Sequence, residues 1–307
     1  MDLTVVGHLS RDLIITPETQ REAIGGGTAY AMLGPSIGAK TRIVSKVGQD
    51  FEEEYLSVLR NSGVDLSALH QKSGKSTRFV NRYDEEGNRS QYVESVAPDI
   101  SGNDVDESIL SGVIVHCCPL LREIETSLLR QAAESASLIS LDIQGYLRKI
   151  QEQEVRLTDW RDKKEILPLV DIVKADEREL EAATSIADEQ KAAEHVMEFG
   201  PCVLLVTRNR RGSTIYTPAE AVDIPAIPAE EIVDTTGCGD TYSIGFLVEY
   251  SRTGDLYYSG IFAAACASYN LETIGPYGMP SRQDVESRVR EFYKNPKKSW
   301  CRSVKDL

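Results

Sequence analysis

The chain has 307 residues, with 34 Lys+Arg against 48 Asp+Glu for a formal net charge of −14, and 41% of its residues are apolar and 27% charged. This is ordinary globular composition and excludes a disordered or fibrous chain. The acidic balance argues against a protein that works on nucleic-acid phosphates or an anionic membrane surface, but leaves room for a small anion held locally.

At about 150 residues per domain, the length suits two domains, or one large α/β domain with an appendage. The first residues, 1–7, carry no basic segment, and their apolar run stops at Gly7, too short for a secretory signal. No stretch approaches the roughly 18 apolar residues of a membrane span, the densest being 261–267. A cytoplasmic protein without nucleic-acid or membrane partners is therefore expected. The cysteines, Cys117, Cys118, Cys202, Cys238, Cys266 and Cys301, include no C-x-x-C pair and mostly lie in apolar runs, so reduced thiols are expected. His116, Cys117 and Cys118 are adjacent. Neighbouring side chains on a strand point to opposite faces, which favours buried strand residues over a metal site.

In chain order, short β-branched apolar runs alternate with segments of helical period. Strands are predicted over 3–6, 41–44, 112–116, 138–141, 172–174 and 203–207. Helices are predicted over 29–37, 51–62, 123–134, 177–183, 188–199, 241–251 and 255–272. This alternation marks βαβ units and a doubly wound α/β core. The block 76–97 differs: Thr77–Tyr83 and 89–94 alternate with period two around the turn residues 84–88, which reads as a hairpin. With 9–23 it predicts a small β-sheet lid on a large domain made of 1–8, 24–75 and 98–307; an edge hairpin with no part in the site is the alternative.

The most informative stretch is Asp234-Thr235-Thr236-Gly237-Cys238-Gly239-Asp240-Thr241. Two glycines one residue apart, directly before an apolar helical run, let successive backbone N–H groups converge at a helix N-terminus. The helix dipole adds roughly half a positive charge there, so a phosphate needs no lysine. Asp240 places a carboxylate beside the same donors. A structural anion nest has no use for one, whereas phosphoryl transfer needs both a cradle for developing charge and a base for the attacking hydroxyl. The alternative is that Asp240 or Thr241 only caps the helix.

Asp234 to Asp240 resembles the D-T-x-G-x-G-D signature of the PfkB family, the ribokinase-like carbohydrate and nucleoside kinases. The resemblance implies a ribokinase-like fold: a doubly wound, mainly parallel sheet flanked by helices, with a small β-sheet lid. It implies Asp240 as catalytic base and Gly237, Cys238 and Gly239 as the anion hole, with Asp234 and Thr236 toward the nucleotide. The resemblance covers the whole chain. Gly7 to Asp12 resembles the family's first strand and its hydroxyl-binding aspartate, here Asp12. Ile24 to Tyr30 resembles the di-glycine turn, which implies substrate contacts by Gly25, Gly26, Gly27, Thr28 and Tyr30. The asparagine that many relatives carry after this turn is absent, and Thr28, Ala29, Tyr30 and Ala31 stand there instead. Val47 to Asp50 resembles the family's G-x-D.

Asp176 to Glu179 resembles N-x-x-E, with Asp176 in place of asparagine; the family implies Mg2+ near Glu179 and Asp176, held through water, although by spacing alone these are solvated helix charges. Val206 to Gly212 resembles the T-x-G-x-x-G that lies along the nucleotide, implying contacts by Thr207 and Gly212. Asn209 stands where glycine is usual, and asparagine tolerates positive φ well. Arg208, Arg210 and Arg211 form the one tight basic cluster, able to offset phosphate or to face solvent. Leu141 to Arg148 resembles a D-x-Q-G-x-x-R element of a subset that includes inositol kinases, and Asp142 at a strand end sits where open α/β sheets bind ligands. Asp142, Gln144 and Arg148 are thus either substrate contacts or members of a loop ion pair.

No Walker string G-x-x-x-x-G-K-[ST] is present, and Gly25-x-Gly27-x-x-Tyr30 lacks the third glycine of a dinucleotide fingerprint. A family-like protein that only senses a nucleotide or sugar has no use for Asp240 beside a phosphate. The expected function is an ATP-dependent kinase, with Mg2+ and room for a monovalent cation, acting on a hydroxyl of a small polyol, sugar or nucleoside. The D-x-Q-G element tilts the acceptor toward a cyclic polyol. The lid's free face leaves room for a homodimer. Cys238, at a helix N-terminus, is expected to have a lowered pKa.

Overall fold

Among the described residues the strands are β1 (Asp2–Val6), β2 (Ser10–Ile15), β3 (Gln20–Gly25), β4 (Lys40–Val47), β5 (Asp65–Gln71), β6 (Thr77–Tyr83), β7 (Arg89–Ser95), β8 (Ile114–Cys117), β9 (Leu138–Asp142), β10 (Arg148–Gln151), β11 (Glu154–Leu157), β12 (Ile172–Asp176), β13 (Val203–Thr207), β14 (Ser213–Tyr216) and β15 (Ala221–Ile224). The computed structural model describes residues 1–85 and 89–294, so Cys301 and part of the expected turn at 84–88 lie outside the described residues.

The six apolar runs read as strands all enter one nine-stranded sheet, ordered β15-β14-β13-β12-β9-β8-β1-β4-β5. From β13 to β5 every pairing is parallel, and β14 and β15 close one edge as an antiparallel hairpin. Such strands are apolar throughout because both faces are covered: Val5, Ile43, Val115 and Leu204 have no exposed surface. One face packs on the helices Cys238–Thr253, Leu256–Asn270 and Arg282–Lys294 through Phe246, Phe262 and Val289. The other packs on Thr126–Ser135, Glu177–Thr184 and Glu189–Met197 through Leu128, Leu180 and Val196. The C-terminal ends of β1, β9, β12 and β13 lie on one edge, where α/β sheets bind ligands.

The second sheet has six strands in the order β10-β11-β7-β6-β2-β3, with only β2 and β6 parallel. It holds the segments expected to form the lid and also Arg148–Leu157. That hairpin is short and charged, and it joins through Glu154 opposite Tyr92 and the Val93 N–H on the Gln153 carbonyl (2.8 Å), a contact no local pattern announces.

Other differences are local. The segment predicted as a helix over 29–37 is a 3₁₀ turn, Gly27–Met32, followed by a single α turn, Leu33–Ser36; Gly34 and Pro35 cut it short. The strand β5, the β14–β15 hairpin and the helix Arg282–Lys294 were not predicted. The helix expected from 123 begins at Thr126, because the Glu123 carboxylate turns back to accept the His8 (3.0 Å), Leu120 (2.9 Å) and Leu121 (2.8 Å) amides.

Glu123 has no exposed surface and ties the end of β1 to the loop after β8. Its loss strands several buried donors. Glu123→Ala should lower stability by at least about 2 kcal/mol, read as a lower urea midpoint with an unchanged m-value.

Candidate active site

The helix Cys238–Thr253 starts at Gly237, whose φ of 79° is left-handed and which makes no side-chain cap bond. Neither Asp240 nor Thr241 therefore serves as the N-cap. A Cβ at 237 would lie 1.8 Å from Cζ of Tyr30, so glycine is required on both conformational and steric grounds. The Tyr30 hydroxyl and the Asn270 amide both donate to the Thr236 carbonyl (3.2 and 2.8 Å). Asp234 accepts the Thr236 N–H (2.9 Å) and the Gly275 N–H (3.3 Å), and faces Arg21 at 3.7 Å. The turn is thus braced on both sides.

Asp240 is the third residue of that helix and partly exposed. Burial, with the Asp142 carboxylate nearby, pushes its carboxyl up to about 7 against the opposing pull of Lys174 and Arg148. The glycine turn of the N-terminal third lies directly against it. A Cβ on Gly27 would come 2.5 Å from Asp240 Oδ1, and one on Gly25 would come 2.4 Å from Asp12 Oδ2. Two residues of chain span at most about 7 Å, so this turn brings Asp12 and Asp240 to one place. Asp12 Oδ1 accepts from Ser10 Oγ (2.7 Å), and Asn81 Nδ2 lies 3.5 Å from its Oδ2.

Beneath Gly239 lies a side chain that the sequence reading passed over. Lys174, on β12, is buried, and its Nζ would sit 2.9 Å from a Cβ at 239. It pairs with Asp142 at 2.8 Å and faces Glu179 at 3.9 Å. Burial alone would lower its pKa, but Asp142 and Glu179 hold it well above the ordinary lysine value. The available signal was a lysine inside an otherwise buried apolar strand.

Asp142 also accepts the Gln144 N–H (2.9 Å), and Arg148 donates to the Leu120 carbonyl (3.4 Å). Asp176 and Glu179 form a reciprocal capping box, each carboxylate accepting the other's amide at 2.7 Å. Among the described residues no cluster of three or more His, Cys, Asp or Glu could hold a metal directly. A nucleotide-bound Mg2+ keeps waters and phosphate oxygens and needs only one or two carboxylates. Glu179 fits that role, since its Oε1 accepts no hydrogen bond among the described residues.

Behind the turn a cavity of about 580 Å³ is lined by Thr207, Gly212, Cys238 and Gly239, with an apolar wall that includes Ile227, Ala264 and Leu271. Asn209 has φ 48°, the conformation expected of its glycine-like position.

Several of the residues expected at these contacts also make structural bonds. Thr28 is buried and donates to the His8 carbonyl (2.7 Å); Tyr30 is buried beneath Gly237. Asp234 and Thr236 frame the turn and do not line the cavity. The expected low pKa of Cys238 is also corrected: burial pushes the thiol up to about 12, outweighing the Asn270 amide 3.4 Å from Sγ. His116 and Cys117 are buried strand residues, and burial lowers His116 to about 4.

Residues 1–282 match the pfkB family carbohydrate kinase profile. The chain is 32% identical to the cytidine kinase of Thermococcus kodakarensis over 257 residues, covering 82% of this chain and 89% of that one. It is 30% identical to the nucleoside kinase of Methanothermobacter thermautotrophicus, over 89% of this chain and 90% of its relative. A pyrophosphate-dependent kinase of the ribokinase family, solved with a pyrophosphate analog and myo-inositol, superposes with a TM-score of 0.80 at 25% identity, covering 93% and 99% of the two chains. A sheet that presents a braced glycine turn, a raised carboxyl and a buried ammonium at one edge is the framework of a phosphotransferase. The chain belongs to the pfkB family of carbohydrate kinases. It transfers a phosphoryl group to a hydroxyl of a small sugar or nucleoside.

Because Tyr30 fills the space under Gly237, Gly237→Ala must displace either the ring or the start of the helix. It should cut kcat by about 10²-fold, the scale of losing an oxyanion-type donor, with the far-ultraviolet circular dichroism unchanged; retained kcat would show that the turn tolerates the shift.

Proposed function

We propose that the protein is an ATP-dependent kinase of nucleosides in which Asp240 is the general base and the backbone amides of Gly237, Cys238 and Gly239 are the anion hole. The observation that carries this reading is the juxtaposition of Asp240 with the Gly25–Gly27 turn and Asp12. A carboxylate accepts two neighbouring hydroxyl protons well, so Asp12 can fix a ribose while the attacking hydroxyl faces Asp240. A base whose pKa lies near 7 matches its task at neutral pH. The amides at the start of the helix, with Lys174 beneath Gly239, face the charge that develops on the transferring group. Mg2+, held through water by Glu179 and Asp176, neutralises phosphate charge when bound. Thr207 and Gly212 flank the donor in the cavity.

The nucleoside acceptor is supported by the names of the relatives at 32% and 30% identity. A second reading, a cyclic polyol, is supported by the Asp142-x-Gln144-Gly145 element and the neighbour solved with myo-inositol. ADP release measured across nucleosides, pentoses and inositols decides between them. Cytidine or another nucleoside should give the highest kcat/KM, and a preference for myo-inositol above tenfold would reverse the assignment.

Asp240→Asn should lower kcat by about 10²-fold or more while ATP still binds, and near-normal turnover would sink the assignment. Since Asp240 is raised to about 7 and must be ionised to accept a proton, kcat/KM should reach its plateau above that pH and fall about tenfold per unit below it. A flat profile down to pH 5 is incompatible with this base.

A further inference from the structure

The small sheet carries a short line of side-chain amides that ends on Asp12. In the parallel pairing of β2 with β6, Asp12 stands opposite Phe79 and Ile14 opposite Asn81; across β6 and β7, Asn81 stands opposite Gln91 and Phe79 opposite Val93. Paired residues, and residues two apart on one strand, share a face, so Asp12, Asn81 and Gln91 lie on the same side of the sheet. Gln91 Nε2 donates to Asn81 Oδ1 at 2.9 Å, and Asn81 Nδ2 donates to Asp12 Oδ2 at 3.5 Å. Beside this line Phe79 and Val93 pack on Leu120.

The direction of the line follows from its chemistry. An ionised carboxylate only accepts, so the Asn81 amide turns its NH2 to Asp12, and Gln91 holds it that way by donating to the other end. Asn81 is buried. Its Nδ2 carries two protons; among the described residues Asp12 takes one and nothing takes the other. A substrate hydroxyl can accept that proton while donating its own to Asp12, which a bare carbon cannot do. The turn on the far side of Asp12 offers no such amide. Thr28 and Tyr30 stand where many relatives carry asparagine, and their hydroxyls donate to the His8 and Thr236 carbonyls (2.7 and 3.2 Å).

From this we infer that Asn81, oriented by Gln91, is a specificity-determining residue: it donates to one of two neighbouring acceptor hydroxyls bound by Asp12, so that nucleosides lacking that ribose hydroxyl are rejected. The inference rests on the nucleoside-kinase reading above. The test measures kcat/KM of the full chain for the best ribonucleoside and for its 2′-deoxy and 3′-deoxy analogues, in the wild type, Asn81→Leu and Gln91→Glu. A site built to hydrogen-bond a hydroxyl rejects the analogue without it strongly, so the wild type should discriminate by at least about a hundredfold against one or both analogues. Asn81→Leu should lower kcat/KM for the ribonucleoside and narrow the ratio for one analogue to within about tenfold. Gln91→Glu accepts where Gln91 donates, turns the Asn81 carbonyl toward Asp12, and should narrow the same ratio from a partly exposed position. The KM for MgATP and the melting temperature should stay within error in Gln91→Glu, which carries the test if Asn81→Leu fails to fold. Use of both deoxy analogues within about tenfold of the ribonucleoside by the wild type, or an unchanged ratio in either folded variant, overturns the inference and leaves the kinase reading standing. Absence of any nucleoside phosphorylation by the wild type overturns both.

Discussion

The site depends on one contact without a side chain: the backbone of Gly27 against the carboxylate of Asp240. A Cβ at 27 would lie 2.5 Å from Oδ1 and 2.8 Å from the Cys118 Cβ, so a methyl group there would force the turn or the groups packed on it to shift. The sheet makes the meeting possible. With β1 between β8 and β4, the chain leaving β1 crosses to the small sheet as β2, returns as β3, and delivers the glycine turn over the C-terminal edge. There the long helix begins, with its own unpaired amides directed at the same point. The same closeness recurs one step away, where Tyr30 fills the space that only a glycine at 237 leaves free.

Charge is organised just as locally. Asp142, Glu179 and Asp240 surround a single buried ammonium, Lys174. Buried carboxylates are tolerated only when paired, and Lys174 pairs fully with just one of them, Asp142. Burial, and then the neighbouring Asp142, raises the Asp240 carboxyl more than Lys174 and Arg148 lower it, while the lysine stays charged. Its proton affinity is therefore set by its burial together with the surrounding charges. The overall charge of −14 describes the outside of the molecule and says little about this interior balance.

What was legible in the sequence follows from how each feature is encoded. The six central strands are buried on both faces and announce themselves as continuous apolar runs. The edge strand β5 and the hairpins β10–β11 and β14–β15 are short or half-exposed, and their pairing partners lie far along the chain, so period and composition carried no sign of them. The glycine-rich turn and Asp240 were readable because backbone geometry restricts which residues can stand there; Asn209 in its left-handed conformation was readable for the same reason. Side-chain direction was not. Thr28, Tyr30 and Asp234 stand at the site in sequence, and their side-chain oxygens also brace it, as does the backbone of Thr236. Cys238 followed the helix-end rule only until its burial was known, since desolvation outweighs the dipole there.

The small sheet and Asp240 are coupled by the chain itself. The sheet is built from three segments. The third, Arg148–Leu157, begins four residues after Gln144, whose amide Asp142 holds. Arg148 is therefore both the first residue of β10 and, with Lys174, one of the two cations that favour the ionised form of Asp240. Lys174 is fixed in the core by Asp142, whereas Arg148 is placed by a strand that joins its sheet through little more than the Glu154–Tyr92 pairing and one amide of β7. Arg148 also donates to the Leu120 carbonyl (3.4 Å), so the two cations are held by different parts of the fold. Because the interaction of charges falls with distance, the carboxyl of Asp240 depends on both the core strand and the hairpin that place these two cations.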